Sequence, residues 1–432
     1  MDALILGSGP IAHLQGLKKN VLHAGPSSHS ENILSEGGAI AVKNGTVAAI
    51  GPEDEAASSL FGDDDRWMRP DVTSVDGIRI HRLKGQAITP SFVDSHTHLV
   101  WGGDRSGEHD QRCAGMSYRE IAEAGGGIAS TVQATRKSHR AHLIDSAERR
   151  LWTMLEHGTT IVEAKSGYGL STKEELRILE IAEDAARSVP VDVHHTWLGA
   201  HALPPEMESN KDAFDEYTEE LINNQLPEVV KQGIATFADV FCEPGWFSLE
   251  QTTRIAEAAA SHGLSMRIHA DEFTDGGAAG LAARIGAASA DHVHHTSDVD
   301  RAACAENDVL QTFLPGTPFS MGTEQPDVTQ CLSEEWPFGL ATDFNPNCQI
   351  LSMPMVASLA MQQIGLSSLD TIIAMTHNPA ISLGLPGRSI APGEPADLVV
   401  LSGPTISSVG LSPGTNPVES VMVDGSFLKL DG

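Results

Sequence analysis

Residues 88–98 read Ile88-Thr89-Pro90-Ser91-Phe92-Val93-Asp94-Ser95-His96-Thr97-His98, a short apolar run followed by two histidines separated by one residue. The run from Ile88 to Val93 has the pattern of a buried strand. Because side chains alternate between the two faces of a strand, His96 and His98 point to the same side and can bind one metal ion. A lone His-x-His is equally compatible with two loop histidines that only form hydrogen bonds, so its interpretation depends on the rest of the chain.

From residue 88 onward, strand-like runs alternate with amphipathic helical segments. Such alternation is typical of a parallel sheet, and eight runs favour a TIM-like (β/α)8 barrel over an open sheet. The predicted strands are Ile88–Val93, Thr159–Ala164, Val191–Leu198, Phe237–Phe241, Met266–Ala270, Ala288–Val293, Val309–Phe313 and Phe338–Thr342. The predicted helices include Lys173–Ala186, Leu249–His262 and Ala278–Ile285. The sequence therefore predicts an α/β protein with a barrel over residues 88–388.

Both chain ends have β patterns instead. Residues 39–52 contain two short strand-like runs around Asn44-Gly45, a strong hairpin signal. The polar, Asp-rich residues 53–75 predict a connecting loop, and residues 390–401 and 418–425 each contain a strand-like run. The C-terminal piece is too short to fold alone. We therefore predict one small β-sandwich domain built from residues 1–87 and 389–432, with the barrel inserted between them.

The charge balance disfavours several classes of partner. The chain has 28 basic and 58 acidic residues, a formal net charge of −30, which repels nucleic acid and anionic membranes. Such a surface is also compatible with a salty cellular environment. The five cysteines are scattered without a C-x-x-C pair, and no membrane-spanning run or signal-peptide pattern is present. We therefore expect a cytoplasmic protein that acts on small molecules.

Most of the predicted strands are followed by polar or ionisable residues, which a barrel gathers at one mouth. Among them, three imidazoles and one carboxylate form a candidate ligand set: His96, His98, His269 and Asp343. This set suits one divalent first-row ion, zinc or alternatively iron, in an open catalytic site. Such an ion activates a water molecule for hydrolysis of an amide. Each ligand taken alone is also compatible with an ordinary polar group at a strand end.

Two further residues suit proton transfer. Glu272 follows His269 by three residues and can carry a proton from the water to a leaving nitrogen, although a surface glutamate is the ordinary alternative. His292 ends the sixth predicted strand and can orient the water or polarise the carbonyl. We therefore predict Glu272, His292 and Asp343 as catalytic residues.

The whole chain resembles the amidohydrolase superfamily and, within it, the imidazolonepropionase family. The wider resemblance rests on His96-Thr97-His98, His269-Ala270-Asp271-Glu272, Asp291-His292 and Ala341-Thr342-Asp343. The narrower one rests on residues 99–105 (LVWGGDR), 125–128 (GGGI), 165–170 (KSGYGL), 198–202 (LGAHA) and 342–347 (TDFNPN). Together these strings extend over residues 90–350.

This resemblance implies hydrolysis of 4-imidazolone-5-propanoate to N-formimidoyl-L-glutamate in histidine degradation. It implies the same four metal ligands, and substrate contacts at Arg105, Tyr168, His201, Glu272, Asn345, Asn347 and Cys348. Two positions depart from the family pattern, since Asp104 stands where Asn is frequent and His294 where an acidic residue is frequent. Neither is a proposed ligand, so the departures concern fine geometry rather than the reaction.

A physical argument supports Arg105 independently. It lies seven residues after His98 in a Gly-rich loop, and a guanidinium can bind a carboxylate through two parallel hydrogen bonds. An isolated arginine is by default a surface residue. We expect a small anionic substrate, no nucleic-acid or membrane partner, and a homodimer as the assembly.

Two other functions stay open at this point. The chain can be a related amidohydrolase acting on another ring, such as a purine or pyrimidine deaminase or a cyclic amidase. It can also be a metal-binding protein or barrel scaffold without catalysis, although the full set of ligands and proton-transfer residues argues against that. Lys165 ends the second predicted strand, but no lysine clearly occupies the place that a carbamate-bridged two-metal site needs, so we favour one metal.

Overall fold

The computed structural model describes residues 2–24, 29–116, 120–121, 124–207, 210 and 212–428. The chain divides into two compact units. One contains Met1–Val93, Thr153–Thr160 and Ser352–Gly432, and the other contains Asp94–Trp152 and Ile161–Leu351. The predicted domain limits at residues 87/88 and 388/389 stay a prediction.

An eight-stranded parallel sheet confirms the predicted barrel. Strands that follow one another along the chain are neighbours in the sheet throughout. They are Phe92–Asp94, Thr159–Lys165, Asp192–Ala200, Phe237–Cys242, Ser265–Ala270, Ser289–His292, Leu310–Phe313 and Phe338–Leu340. Every run predicted from the sequence contributes one of these strands, which we number first to eighth.

The first predicted strand is wrong in one respect, because the run from Ile88 to Val93 is split between two sheets. Ile88–Pro90 pairs antiparallel with Leu398–Leu401 in a β-sheet outside the barrel, and Phe92–Asp94 begins the barrel. The backbone changes partner at Ser91, whose N–H donates to the Asp397 carbonyl at 3.2 Å, whereas Phe92 N–H donates to Gly158 at 2.9 Å. Periodicity cannot reveal this change, because both halves of the run are buried.

The barrel closes through contacts just beyond its first and last strands. The Asp94 carboxylate accepts hydrogen bonds from the Thr342 N–H at 3.1 Å and the Thr342 hydroxyl at 2.6 Å. The backbone continues this pairing, with Asp343 N–H donating to His96 O at 3.1 Å and His98 N–H to Phe344 O at 2.8 Å. Closure therefore fixes His96, His98 and Asp343 side by side.

Helices connect the barrel strands, and local signals account for several of their ends. Ser248 and Gln251 form a capping box at the start of Leu249–Ser261, and Gly286 ends Ala278–Ile285 in the left-handed conformation. Further helices in the described part of the chain from residue 106 onward include Ser106–Cys113, Gly127–Lys137, Arg140–Glu156, Thr172–Ala186, Ala213–Glu220, Leu226–Gln232, Asp298–Glu306, Gly316–Met321, Thr329–Ser333, Met353–Leu359 and Ser368–Ser382. Within the described ranges, no helix combines the length and apolarity needed to cross a bilayer.

The unit that contains Met1–Val93 and Ser352–Gly432 has two further β-sheets, one of five strands and one of six. Their strands are Ala3–Leu6, Ile11–Ala12, Ile33–Leu34, Ala39–Lys43, Thr46–Gly51, Ser74–Val75, Ile78–Arg82, Ile88–Pro90, Leu398–Leu401, Val418–Val423 and Ser426–Phe427. A shared apolar core contains residues of both sheets, such as Ile5, Ile40, Ile88, Leu398 and Met422. The predicted hairpin is confirmed, with Asn44 and Gly45 at φ values of 52° and 80° between its strands.

The loop predicted for residues 53–75 is wrong at its start, where Glu53–Phe61 forms a helix. Ala56 and Ala57 are fully buried in an apolar cluster with Leu4 and Leu6. Three acidic residues occupy the first turn, where they interact favourably with the helix dipole. Tertiary burial of two small residues thus stabilises a helix in a segment that looks polar in sequence.

Candidate active site

Four side chains predicted as metal ligands converge at the carboxyl end of the barrel: His96, His98, His269 and Asp343. All are at most 3% exposed. His96 Nε2 and His98 Nε2 lie 3.5 and 3.7 Å from Asp343 Oδ1. His269 Nε2 lies 3.4 Å from His98 Nε2.

Two of these histidines form hydrogen bonds to carboxylates through Nδ1, the ring nitrogen that does not face the cluster. His96 Nδ1 lies 2.8 Å from Asp291 Oδ2, and His269 Nδ1 lies 3.1 Å from Asp239 Oδ1. A carboxylate can only accept here, so each Nδ1 carries the proton and each Nε2 presents its lone pair to the cluster. Asp239 was missed in the sequence, although an aspartate inside the apolar fourth strand is the signal that could have revealed it.

This donor set fits a divalent cation. Zinc–ligand bonds of about 2.0–2.2 Å in a tetrahedron place neighbouring ligand atoms roughly 3.3–3.6 Å apart, close to the three separations given above. The ligand atoms of His96, His98 and His269 lie within 4.8 Å of one another, and so do those of His96, His292 and Asp343. His96 Nε2 is buried and has no hydrogen-bond partner among the described residues. Burial is the main cause that lowers the pKa of His96 and of His98 well below the usual value, so both rings are neutral ligands. Without a cation, the converging lone pairs and the carboxylate would repel one another.

Asp343 is oriented by a residue that the sequence did not suggest. The Thr317 hydroxyl donates to Asp343 Oδ2, so Oδ1 is the oxygen that faces His96 and His98. Burial raises the pKa of Asp343 to about 6. Asp343 and His292 both have left-handed backbone conformations, with φ values of 51° and 72°. Such conformations cost a non-glycine residue about 1–2 kcal/mol and are frequent at active sites.

Glu272 and His292 lie together at the edge of the cluster. His292 Nε2 is 3.7 Å from Glu272 Oε2, and the Glu272 side chain is 14% exposed. The Glu272 N–H donates to Glu243 Oε2 at 3.0 Å, which fixes the backbone beside the cluster. Burial, followed by the nearby carboxylates of Asp343 and Glu243, raises the pKa of Glu272 well above its ordinary value. A carboxyl group in this position can hold and release a proton.

A cavity opens beside the four candidate ligands and is lined by most of the predicted substrate residues. These are Arg105, Tyr168, His201, Glu272, Asn345 and Asn347. The lining also contains four residues that were not predicted: Ile128, Phe241, Thr317 and Met321. Cys348 is not in this lining, because its Sγ contacts the Thr342 carbonyl at 3.6 Å. Most of the side chains that line this cavity are polar or ionisable.

His201 and Tyr168 form one wall of this cavity. His201 Nδ1 donates to the Gly167 carbonyl at 2.9 Å, and its ring stacks on that of His98 at 5.1 Å. Burial lowers the pKa of His201 to about 3, so its neutral ring presents Nε2 as an acceptor. The loop that carries Tyr168 is held by Glu175, whose carboxylate accepts hydrogen bonds from the backbone N–H groups of Gly167, Gly169 and Leu170 at 2.7–2.9 Å.

Arg105 also lines the cavity and is only 6% exposed. Its Nε and Nη2 both donate to Glu108 Oε2, at 3.0 and 2.8 Å, and Glu108 Oε1 accepts from Gly127 N–H at 2.8 Å. The predicted anchor is therefore fixed in orientation by a carboxylate that the sequence did not suggest. The glutamate three residues after Arg105, one helical turn on, is the signal that could have revealed it.

Asn345 organises the loop after the eighth strand. Its Oδ1 accepts from Asn347 N–H at 2.7 Å and Cys348 N–H at 3.1 Å, and its Nδ2 donates to the Asp343 carbonyl at 2.8 Å. Arg112 Nη1 donates to Asn347 Oδ1 at 2.5 Å. These contacts give the loop a defined shape at the mouth of the cavity.

Comparisons with known proteins agree with this architecture. A model of the amidohydrolase family matches residues 87–428. The imidazolonepropionase of Haloarcula marismortui is 40% identical over 434 residues, covering 99% of this chain and 96% of the relative. That of Geobacillus kaustophilus is 40% identical over 403 residues, covering 92% of each. Among solved structures, E. coli guanine deaminase superposes with a TM-score of 0.68 at 15% identity, covering 99% of both chains, which supports the fold alone.

The sequence likeness extends over nearly the whole chain, and the cluster of histidines and Asp343 lies at the carboxyl ends of the barrel strands, where (β/α)8 enzymes have their active sites. The chain therefore belongs to the amidohydrolase family and, within it, to the imidazolonepropionases.

Proposed function

We propose that the chain hydrolyses 4-imidazolone-5-propanoate to N-formimidoyl-L-glutamate, a step in histidine degradation. The observation that carries this proposal is the 40% identity to an imidazolonepropionase over 99% of the chain. The convergence of His96, His98, His269 and Asp343 beside Glu272 supports it. The alternative of a purine or pyrimidine deaminase rests on fold likeness at 15–19% identity, which supports the fold alone.

The proposed cofactor is one divalent ion, zinc or alternatively iron, held by His96, His98, His269 and Asp343. A bound ion of this kind lowers the pKa of a water molecule towards neutrality and polarises the substrate carbonyl. Imidazole and carboxylate ligands suit both metals. Replacement of His98 by Ala should remove most of the metal measured by elemental analysis and leave the fold intact by circular dichroism, whereas full metal content would exclude His98 as a ligand.

The proposed catalytic residues move the protons. The water oxygen bonds to the ring carbonyl carbon, the bond from that carbon to the ring nitrogen breaks, and the carbonyl carbon becomes the new carboxylate. Glu272 takes a proton from the water and delivers it to the departing nitrogen. His292 lies beside Glu272 and orients the attacking water. Asp343 accepts a hydrogen bond from the same water molecule.

The cavity residues recognise the substrate. Arg105 binds the propionate carboxylate, Tyr168 and His201 contact the ring, and Asn345 and Asn347 orient the end that becomes the glutamate backbone. Cys348 is proposed to act only through its backbone, since its side chain contacts Thr342. An arginine in the cavity lining is consistent with a small anionic substrate.

The direct test is incubation of zinc-loaded or iron-loaded protein with imidazolone propanoate. Loss of ring absorbance with stoichiometric formation of formiminoglutamate is the expected result. Guanine, adenosine and a hydantoin serve as controls for the alternative ring substrates. Turnover of one of these controls without turnover of imidazolone propanoate would overturn the proposal.

We also propose a cytoplasmic location and a homodimer, and we assign the β-sandwich domain to residues 1–87 and 389–432 and the hydrolase domain to residues 88–388. Light scattering of the purified chain tests the homodimer.

A further inference from the structure

Five charged side chains lie beneath the candidate metal ligands with at most 1% exposure: Glu163, Lys165, Asp239, Arg267 and Asp291. Three carboxylates and two cations give this cluster a net charge of −1 (−3 + 2). Burial of so many charges is costly unless each has a partner of opposite sign. Because buried ion pairs contribute little net stability, we expect this cluster to have a role in the function of the site.

Lys165 is the common partner of the three carboxylates. Its Nζ lies 2.8 Å from Asp239 Oδ2, 3.1 Å from Glu163 Oε1 and 3.7 Å from Asp291 Oδ2. The contact with Glu163 is a hydrogen bond and the other two are ion pairs, so the nitrogen is held as a charged ammonium. The same nitrogen is therefore not available to form a carbamate that would bridge two metal ions.

Two of these carboxylates are the ones that accept from the ligand histidines. Asp239 uses Oδ1 for His269 and Oδ2 for Lys165, and Asp291 Oδ2 faces both His96 Nδ1 and Lys165. One ammonium thus connects histidines that come from the first and the fifth barrel strands.

We propose that Lys165 is a positioning residue for metal binding. Its ammonium holds Asp239 against Nδ1 of His269 and, together with Arg267 at 3.5 Å from Asp291 Oδ2, holds Asp291 against Nδ1 of His96, so that both histidines direct Nε2 at the same ion. This inference rests on the proposed metal site. It predicts that Lys165 determines the affinity of the site for the metal without touching the metal. Partners that orient metal-ligating histidines typically change metal affinity by about 10–100-fold when they are removed.

A purely structural role is the competing explanation. In that case Lys165 only neutralises buried carboxylates, and its loss lowers the free energy of unfolding without changing the metal affinity of the folded protein. Metal affinity measured well below the melting temperature therefore separates the two roles, whereas activity alone would not.

The experiment uses the full chain stripped of metal and titrated with Zn²⁺ against a chromophoric chelator. For Lys165→Met, which keeps the length but removes the charge, we expect the zinc dissociation constant to rise by about 10–100-fold. Arg388→Met is the control, because it removes a cation from the Arg388–Asp397 ion pair at 2.7 Å, which includes none of the proposed ligands. Its zinc dissociation constant should equal that of the parent.

Asp239→Asn is the second test should Lys165→Met fail to fold, because parent-like affinity in it would exclude a role of the Lys165–Asp239 ion pair in metal binding. The asparagine oxygen can still accept from His269, but the ion pair with Lys165 is lost and the net charge of the cluster becomes 0 (−1 + 1). We expect a rise of about tenfold or more in the zinc dissociation constant. Parent-like affinity in either folded variant would overturn the inference.

The proposed function and the proposed role of Lys165 can be overturned by different results. A parent chain that binds zinc tightly but does not hydrolyse imidazolone propanoate would overturn the substrate and leave the role of Lys165 to be judged by the affinities. A parent chain that binds neither zinc nor iron would overturn both.

Discussion

Glu272 lies in an environment that favours its neutral form. Its carboxyl group is largely buried, and the carboxylates of Asp343 and Glu243 are close enough to oppose its ionisation. A group with a raised pKa can both accept and return a proton near neutral pH, which is what hydrolysis with a poor leaving group requires. At the scale of single residues, Glu272 is therefore the most informative position for mutation.

Replacement of Glu272 by Gln should retain the metal and lower kcat by about 10²–10⁴-fold, because an amide cannot transfer the proton. Elemental analysis and steady-state kinetics measure the two effects separately. A kcat close to that of the parent would show that Glu272 does not carry the proton.

The raised pKa of Glu272 also predicts the acid side of the pH profile. Glu272 must be ionised to accept the proton from water, so activity falls as the pH drops through its pKa. Because this pKa is raised, we expect the loss at a pH above the ordinary glutamate value of 4.5. The measurement is kcat as a function of pH. The residual activity of Glu272→Gln should not show this decrease at low pH.

Arg105 is the residue to test for recognition of the substrate anion. A hydrogen bond to a charged group contributes about 1.5–3 kcal/mol, so Arg105→Ala should raise KM by roughly 10–100-fold. Arg105→Lys should recover only part of the loss, because an ammonium cannot reproduce the two bonds that Glu108 receives from the guanidinium.

A neutral imidazolone without the propionate is the control substrate for Arg105. It should be a poor substrate of the parent and nearly insensitive to the loss of Arg105. Equal losses with the charged and neutral substrates would contradict the anchor role and would favour a more general cyclic amidase.

At the scale of structural elements, the junction between the first and the last barrel strands holds the site together. Thr342 donates two hydrogen bonds to Asp94, and its hydroxyl also accepts from Phe344 N–H at 3.1 Å. Burial raises the pKa of Asp94 to about 7. These contacts are adjacent to Asp343 in sequence, so the stability of the junction and the geometry of the site are linked.

Replacement of Thr342 by Val should lower the free energy of unfolding by about 1–3 kcal/mol, because Asp94 Oδ2 loses its hydroxyl donor and Phe344 N–H loses its acceptor while the side-chain shape is kept. Thr312→Val is the matched control. Thr312 is a fully buried threonine in the seventh strand whose hydroxyl has no hydrogen-bond partner in the described part of the chain, so its loss should be neutral or stabilising. Denaturant unfolding measures both, and equal costs would contradict the role of the junction.

At the scale of the whole molecule, the dominant feature is the excess of acidic residues. A formal net charge of −30 produces self-repulsion that opposes the folded state. Salt screens this repulsion, since the Debye length falls from about 30 Å at 0.01 M to about 3 Å at 1 M.

The melting temperature should therefore rise by several degrees with NaCl, with most of the rise at low concentration, where the Debye length changes most. A parallel series in sucrose is the control, because sucrose strengthens apolar burial without screening charge. A melting temperature that is independent of NaCl at low concentration would show that the acidic surface does not limit stability.

The sequence alone determined the barrel, the family and the candidate site residues. Strand-like runs alternate with amphipathic helices, and parallel strands joined by helices gather their carboxyl ends at one mouth. The positions of His96, His98, His269 and Asp343 at strand ends were therefore enough to group them as one ligand set. The hairpin at Asn44-Gly45 was equally predictable, because these residues tolerate the left-handed conformation that the turn requires.

Only the tertiary structure decided which side chains hold those residues in place. Asp239, Glu108 and Thr317 act on partners that are 30, 3 and 26 residues away. The split of residues 88–93 between two sheets depends on hydrogen bonds to Gly158 and Asp397. Periodicity records which face of an element is buried, but it carries no information on which distant group a buried polar atom meets. That choice is made by packing, because a buried charge or donor must find its partner wherever the fold brings one within reach.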